Sequence, residues 1–255
     1  MARKQPAVKP TRSSRRKKKG GKFSTFIGIL LILVAIALFA LNPIKNYLIQ
    51  TNSARITAGN LTREQILANQ QKDVTFEFNE VRSIDPVQVI ASGVNPDHLP
   101  VIGGIAIPDL NINLPINKGT SNEGMYFGAG TLKPDQEMGK ANYVLSSHHS
   151  VDPKLLFAPL LNAKKGQTIY LTDLDKIYVY EIYNVMTVPA TQTSVINDTS
   201  QAIVTLVTCD SPSVTSNRVV VQGELKETVP IKEATKDMTD AFGIDQTIFD
   251  QVPTY

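Results

Sequence analysis

The sequence predicts a mainly β protein: a closed or nearly closed β-barrel with short helices, preceded by one N-terminal transmembrane helix. Three observations lead there. An uncharged run of nineteen residues, 23–41, follows a segment with ten lysines or arginines and no acid. Beyond it, short runs rich in β-branched and aromatic residues recur between turn-forming clusters of Gly, Pro, Asn, Asp and Ser. Few segments carry the apolar stripe at helical spacing that a helical core would need.

The cations of residues 1–22 are Arg3, Lys4, Lys9, Arg12, Arg15, Arg16, Lys17, Lys18, Lys19 and Lys22. Residues 23–41 hold only Ser24 and Thr25 as polar side chains, both at the start. As a helix this run is roughly 28 Å long, enough to cross the hydrocarbon core of a bilayer. Cations before a single span keep the N-terminus in the cytoplasm and send the rest outside. A cleaved signal peptide is the rival reading. Its apolar core is normally about 7 to 15 residues, and Leu38 with Ala40 makes a poor cleavage site, so a retained signal-anchor is expected. Beside a span, the basic run reads as an orientation signal that also attracts anionic lipid, not as a nucleic-acid site.

The charge balance agrees. The whole chain has 26 basic and 23 acidic residues, but beyond residue 22 the count is 16 against 23, a balance of −7. The folded part is mildly acidic, which argues against a polyanion binder and leaves ample chain for one core.

From residue 43 to 57, mixed polar and apolar residues suggest a short juxtamembrane helix. Thr62 then reads as a helix N-cap with Gln65 as its reciprocal partner, and Leu61 and Ile66 as a hydrophobic staple. That helix, running to about Gln71, is polar enough to be a stalk. Val74-Thr75-Phe76-Glu77-Phe78 alternates as a half-buried strand does. Residues 101–107 form a second β-rich run containing Gly103-Gly104. Residues 110–116 alternate again, and Pro115 marks an edge or a strand end. Asn142-Tyr143-Val144-Leu145-Ser146-Ser147 is strand-like. Residues 169–172 and 177–182 flank Asp173-Leu174-Asp175-Lys176 as a hairpin. Runs at 203–208 and 218–225 complete the set. In the tail, Ile231, Ala234, Met238, Ala241 and Phe242 share one helical stripe ending at Gly243. The expected organisation is a basic cytoplasmic tail (1–22), a signal-anchor (23–41), a juxtamembrane stalk (42–73), a barrel (74–227) and a C-terminal tail with a short amphipathic helix (228–255).

Cys209 is the only cysteine, placed where an apolar run breaks into Asp210-Ser211-Pro212-Ser213. In an exported chain a lone thiol is an inert buried residue, an intermolecular crosslink or a nucleophile. A nucleophilic thiol needs a base, a cation or a polarised site nearby. The histidines are His98, in a proline-flanked loop, and the pair His148-His149, which follows a strand-like run as Cys209 does. Arg218 lies nine residues after Cys209 and reaches the same barrel end if their strands are antiparallel neighbours. Each has a plainer reading: a buried small hydrophobe, a satisfied hydrogen-bonding imidazole, a solvated charge. No Cys or His cluster has the spacing of a metal site.

Thr205-Leu206-Val207-Thr208-Cys209 resembles the Thr-Leu-x-Thr-Cys signature of the sortases, cysteine transpeptidases of Gram-positive bacterial surfaces. The likeness extends from about residue 74 to 227. Val101-Ile102-Gly103-Gly104-Ile105-Ala106-Ile107-Pro108, Leu114-Pro115-Ile116 with Gly119, and Gly128-Ala129-Gly130-Thr131 resemble the family's early strands. Leu145-Ser146-Ser147-His148 is similar to its histidine motif and Arg218-Val219-Val220-Val221 to its arginine strand. With the signal-anchor, the wording is most similar to the class A, housekeeping type.

The resemblance implies an eight-stranded sortase-type barrel and three catalytic roles. Cys209 would attack the Thr-Gly bond of a Leu-Pro-x-Thr-Gly sorting signal on a secreted protein. His148 would act as general acid and base, and Arg218 would hold the substrate or its oxyanion. The amine of a lipid-linked peptidoglycan precursor would resolve the thioester. The resemblance also places a peptide groove beside the strand before the cysteine, with Val188, Pro189, Ala190, Val195 and Ile196 as Leu-Pro pocket candidates. Thr208 is a candidate oxyanion donor by its N–H or hydroxyl. Some sortases are stimulated by calcium, and Asp135, Glu137 and Asp198 are the acids available for it, though scattered acids are more often solvated. The expectation is therefore no required cofactor, no metal and no nucleic-acid partner. Two rivals stay open: an L,D-transpeptidase-type wall enzyme, whose Ser-x-Gly-Cys-x-Arg wording is absent here, and a non-catalytic anchored binding domain.

Overall fold

The structure is a computed structural model and describes residues 22–77, 83–213 and 215–245. It divides into two units at Ala40 and Leu41. The first holds the apolar turns of helix α1 (Lys22–Arg55), whose large side chains, Phe23, Leu31 and Phe39 among them, are exposed. An apolar surface that continuous suits lipid and makes the helix a candidate membrane anchor. The basic segment 1–21 lies outside the described residues.

In the second unit the strands are β1 (Val101–Ile107), β2 (Ile112–Asn117), β3 (Ala129–Thr131), β4 (Asn142–Ser146), β5 (Thr168–Thr172), β6 (Lys176–Pro189), β7 (Ile203–Cys209) and β8 (Asn217–Pro230). They close into a barrel in the order β1-β2-β3-β4-β7-β8-β6-β5. Closure leaves no strand edge to template aggregation. Two joins are parallel, β2 with β3 and β4 with β7; the others are antiparallel. Alternate side chains fill the interior, including Ile105, Ile116, Leu145, Leu171, Tyr180, Leu206 and Val221. The β5–β6 hairpin turns where Asp173-Leu174-Asp175-Lys176 predicts it, with Thr172 opposite Ile177.

Several expectations fail for identifiable reasons. Residues 74–77 are not a strand, and Phe78 lies outside the described residues. The segment instead lies over the turn after β2, where Thr120 N–H donates to Thr75 O at 3.0 Å. Gly119 makes that approach possible: its φ is +79, and a Cβ there would stand 2.4 Å from Thr75 O. The alternation of Val74–Glu77 reflects half-burial, not pairing. Strand β2 starts at Ile112 because Pro108–Leu110 forms a 3-10 turn and Asn111 takes a left-handed φ of 53. Pro115 sits inside β2, but β3 pairs only from Ile116 onward, so its missing N–H costs no ladder bond.

The stretch expected to stand off as a stalk is packed instead. Helix α2 (Arg63–Gln70) has the expected capping box, with Gln65 N–H donating to Thr62 Oγ1 and Thr62 N–H to Gln65 Oε1. Its one inward residue, Ile66, is fully buried with Ala58, Ala106 and Ile177. Ile49 and Ile56 of the preceding segment join the barrel's main core. Few side chains per turn face the barrel, so average composition hides the contact. Pro43 lies within α1, which has no break there.

The tail packs as its stripe predicts. Ile231, Ala234, Met238 and Phe242 are buried against the barrel's flank beside Ile66. The regular helix is shorter than the stripe, α5 (Lys236–Asp240), and Gly243 closes the segment at φ +67. Strand β8 runs to Pro230, past the expected barrel end at 227.

Candidate active site

The parallel join of β4 with β7 brings the candidate site residues to one end of the barrel. With Ser146 opposite Val207, both strands end at the same rim. The ladder continues past β4: Ser147 N–H donates to Val207 O at 3.2 Å. Strand β8 returns antiparallel on the other side of β7 and places Arg218 opposite Cys209. Cys209 and Arg218 are thus cross-strand neighbours, and His148 lies two residues past the end of β4, on the continuation of that strand's register beside Cys209. Parity puts them on one face. Val144, Val207 and Val220 lie in a cluster outside the barrel, whereas Leu145, Leu206 and Val221 fill its inside. His148, Cys209 and Arg218 share the parity of the outer set.

His148 is buried against Tyr126, the rings 25° from parallel with centroids 6.5 Å apart. Tyr126 comes from helix α4 (Asn122–Phe127). The Nε2 atom of His148 is buried with no partner among the described residues. Burial lowers the imidazole's pKa from 6.5 to about 4, because the charged form loses its hydration. His149 takes a different role. Its Nδ1 lies 2.8 Å from Cys209 O, and against a carbonyl that nitrogen must carry the proton. The imidazole supplies the rung that a backbone N–H would give if β4 ran two residues further.

The thiol of Cys209 is raised above its usual pKa of 9.0, chiefly by burial; Arg218 opposes the shift and Asp210 adds to it. Thiol and neutral imidazole are therefore the resting forms at neutral pH. The Arg218 Nη1 group donates to Thr215 O at 3.1 Å and to Asn217 O at 2.8 Å. These bonds fix the fork and leave its other N–H groups for a ligand. Asp210 is held below the usual carboxylate range, first by its bond from Thr215 and further by Asn217 and Arg218. His98 sits in the 3-10 turn Pro96–His98, before β1.

An apolar surface leads to Arg218 and Cys209. Val188, Val207 and Val220 are buried in the outer cluster, and Val195 and Ile196 from the β6–β7 loop pack on it. Val188 is the cross-strand partner of Arg218. Pro189 and Ala190 are exposed beyond it, with Ala190 N–H donating to Ser216 O, so they border the rim and not the apolar floor. Thr208 points the other way: its buried hydroxyl donates to Ser147 O at 2.9 Å. That hydroxyl fastens β7 to the histidine segment, and by strand parity the Thr208 N–H points at β8, opposite Val219, so neither Thr208 donor faces an oxyanion beside Cys209.

The Sortase domain model matches residues 105–226. Sortase A of Listeria monocytogenes is 37% identical over 216 residues, covering 85% of this chain and 96% of that protein. Sortase A of Streptococcus agalactiae is 39% identical over 238 residues, covering 89% and 96%. The chain belongs to the sortase family. A crystal structure of the Listeria monocytogenes sortase A agrees in fold, with a TM-score of 0.54 at 41% identity over 57% of this chain and 98% of that one. As a sortase the protein is a cysteine transpeptidase of the cell wall, acting on proteins that carry sorting signals. This removes the L,D-transpeptidase and the non-catalytic readings.

Three features of this sortase's site escaped sequence reasoning. Tyr126 carried no signal, because an aromatic in a short helix reads as core. In the sequence Asn142 reads only as the start of a strand. Its Nδ2 donates to Val195 O and Asn197 O at 3.0 and 2.9 Å, and its Oδ1 accepts from Thr205, so it staples the β6–β7 loop to the barrel. Lys133 pairs with Asp198 of that same loop. Glu137 pairs with Lys140 at 2.5 Å, and Asp135 is exposed. Among the described residues, no group of three or more His, Cys, Asp or Glu side chains is arranged to hold a metal ion.

Proposed function

We propose that this sortase cleaves the Thr-Gly bond of Leu-Pro-x-Thr-Gly signals through a thioester on Cys209 and passes the protein to an amine of a lipid-linked peptidoglycan precursor. The observation that carries the proposal is the placing of His148, Cys209 and Arg218 on the face of the barrel that also bears the apolar cluster of Val188, Val207 and Val220. A Leu-Pro segment suits the floor made by Val188, Val195, Ile196 and Val207. Pro189 and Ala190 would border it.

The chemistry follows from the resting protonation states. Cys209 starts as a thiol and His148 as a neutral base. As Sγ bonds to the threonine carbonyl carbon, its proton passes to the imidazole. The oxyanion is met by the Arg218 guanidinium, a donor that needs no reorganisation during the step. The imidazolium then protonates the glycine nitrogen, the C–N bond breaks and the thioester remains. In the second half, His148 takes a proton from the incoming amine as it attacks; the C–S bond breaks and the sulfur recovers its proton. His149 fixes the position of the Cys209 backbone while this happens.

Asp198 already has a cation in Lys133, so no calcium is required in this reading. The ten cations ahead of the span keep the N-terminus in the cytoplasm and place the barrel outside the cell. Intact-mass spectrometry with a Leu-Pro-x-Thr-Gly peptide tests the proposal. An acyl adduct on Cys209 with release of the Gly-containing fragment is expected, and Cys209→Ala should show none. An intact peptide and an unmodified Cys209 would end it.

A further inference from the structure

Helix α1 does more than end near the barrel: its last turns touch both supports of His148. Asn46 Nδ2 donates to Asp152 Oδ2 at 3.3 Å. Asp152 belongs to the loop that begins with His148 and His149. That loop is short and closed, with Phe157 N–H on His148 O at 3.1 Å and a bridge between His149 and Leu156. Inside it, Asp152 N–H donates to Ser150 Oγ, and Asp152 Oδ1 accepts from Lys154 N–H. Movement of Asp152 is thereby passed to the histidines a few residues away.

A second contact reaches the other support. Ser53 Oγ donates to Phe127 O at 2.6 Å, in a buried bond. Phe127 follows Tyr126, the ring that stacks on His148. One helix thus grips the loop that bears the imidazole and the helix end that backs it.

The same turns bury groups that are costly to desolvate, which argues against incidental packing. Lys45 is 1% exposed, and burial lowers its ammonium's pKa, a shift that Asp152 and Asp85, the N-cap of α3 (Pro86–Ser92), only partly oppose. Asn46 Oδ1 is buried with no partner among the described residues, so its seat carries a desolvation cost. A segment serving only as a tether needs neither a buried cation nor a buried amide.

We infer that the juxtamembrane turns of α1, through Asn46 on Asp152 and Ser53 on Phe127, are a positioning element of the active site that holds His148 in register with Cys209. The contact does not depend on which peptide the enzyme takes, although its catalytic consequence rests on the transpeptidase reading above. The segment runs in the same helix as the candidate span, so membrane attachment and histidine placement share one element.

The test uses the full chain in lipid nanodiscs, with Asn46→Ala, Asp152→Ala, their double variant and Ser53→Ala. Amide exchange in residues 148–157 should quicken by roughly tenfold in each single variant, while β7 and β8 keep their protection. With a sorting-signal peptide, kcat should fall about fivefold and KM stay unchanged, as expected when a catalytic group is misplaced but the groove is intact. The Asn46 and Asp152 losses should not add in the double variant. If Asp152→Ala quickens exchange but Asn46→Ala and Ser53→Ala do not, Asp152 only shapes its own turn and the inference fails. Unchanged exchange in all variants overturns it as well. If exchange responds as expected but the wild type does not turn over the peptide, the substrate assignment fails and the positioning role stands.

Discussion

Protonating His148 should destabilise the fold by an amount that the structure sets. The imidazole is 9% exposed, and its burial lowers the pKa from 6.5 to about 4. A depressed folded-state pKa means the unfolded chain binds the extra proton first. The stabilisation is therefore fully present above pH 6.5 and is lost as the pH falls through the window from 6.5 to about 4. At about 1.36 kcal/mol per pKa unit, the loss between pH 7.5 and 4 is about 3 kcal/mol. Carboxylates such as Asp210 lose stability in the same direction, so wild type must be compared with His148→Gln, which keeps them. Urea unfolding of both proteins across this range is the assay. The wild type should lose about 3 kcal/mol more than the variant. Equal slopes would mean that His148 titrates as an exposed imidazole does, and the dry, Tyr126-backed seat would be wrong.

Three other substitutions separate the parts of the site. Arg218→Lys keeps the charge but loses the planar fork; kcat with a sorting-signal peptide should fall about a hundredfold or more with the melting temperature nearly unchanged. His149→Ala removes one hydrogen bond to Cys209 O, so turnover should drop only several-fold, in line with about 1 kcal/mol. If His149→Ala proves as severe as His148→Ala, the two imidazoles have been assigned the wrong roles. Lys133→Ala breaks an ion pair whose carboxylate is largely exposed, so KM should rise by no more than about fivefold, and added calcium or chelator should leave the wild-type rate unchanged. A strong calcium stimulation of the wild type would contradict the lysine's part in holding that loop.

Part of the candidate site's arrangement was legible in the sequence because it is local. Cys209 and Arg218 are joined by one short loop, and a nine-residue return between β-rich runs leaves few arrangements other than neighbours. The capping box at Thr62 and Gln65 and the hairpin at residues 173–176 are likewise short-range signals. The β4–β7 join was not legible, since parallel neighbours some sixty residues apart leave no mark in the spacing of either strand. Only the family resemblance put His148 with Cys209. Two of the failures share one cause. Val74–Glu77 alternates because it covers a turn, and Ile66 looks solitary because one residue per turn meets the barrel. In both cases burial comes from a distant part of the chain.

The most direct measurement is a structure of the full chain reacted with a Leu-Pro-x-Thr-Gly peptide and stopped at the thioester. The acyl carbon should be bonded to Cys209 Sγ, its oxygen within hydrogen-bond reach of Arg218, and the His148 imidazole beside the position the amine left. An acyl group on Cys209 with Arg218 turned to solvent, or with His149 and not His148 at the leaving position, would contradict the arrangement.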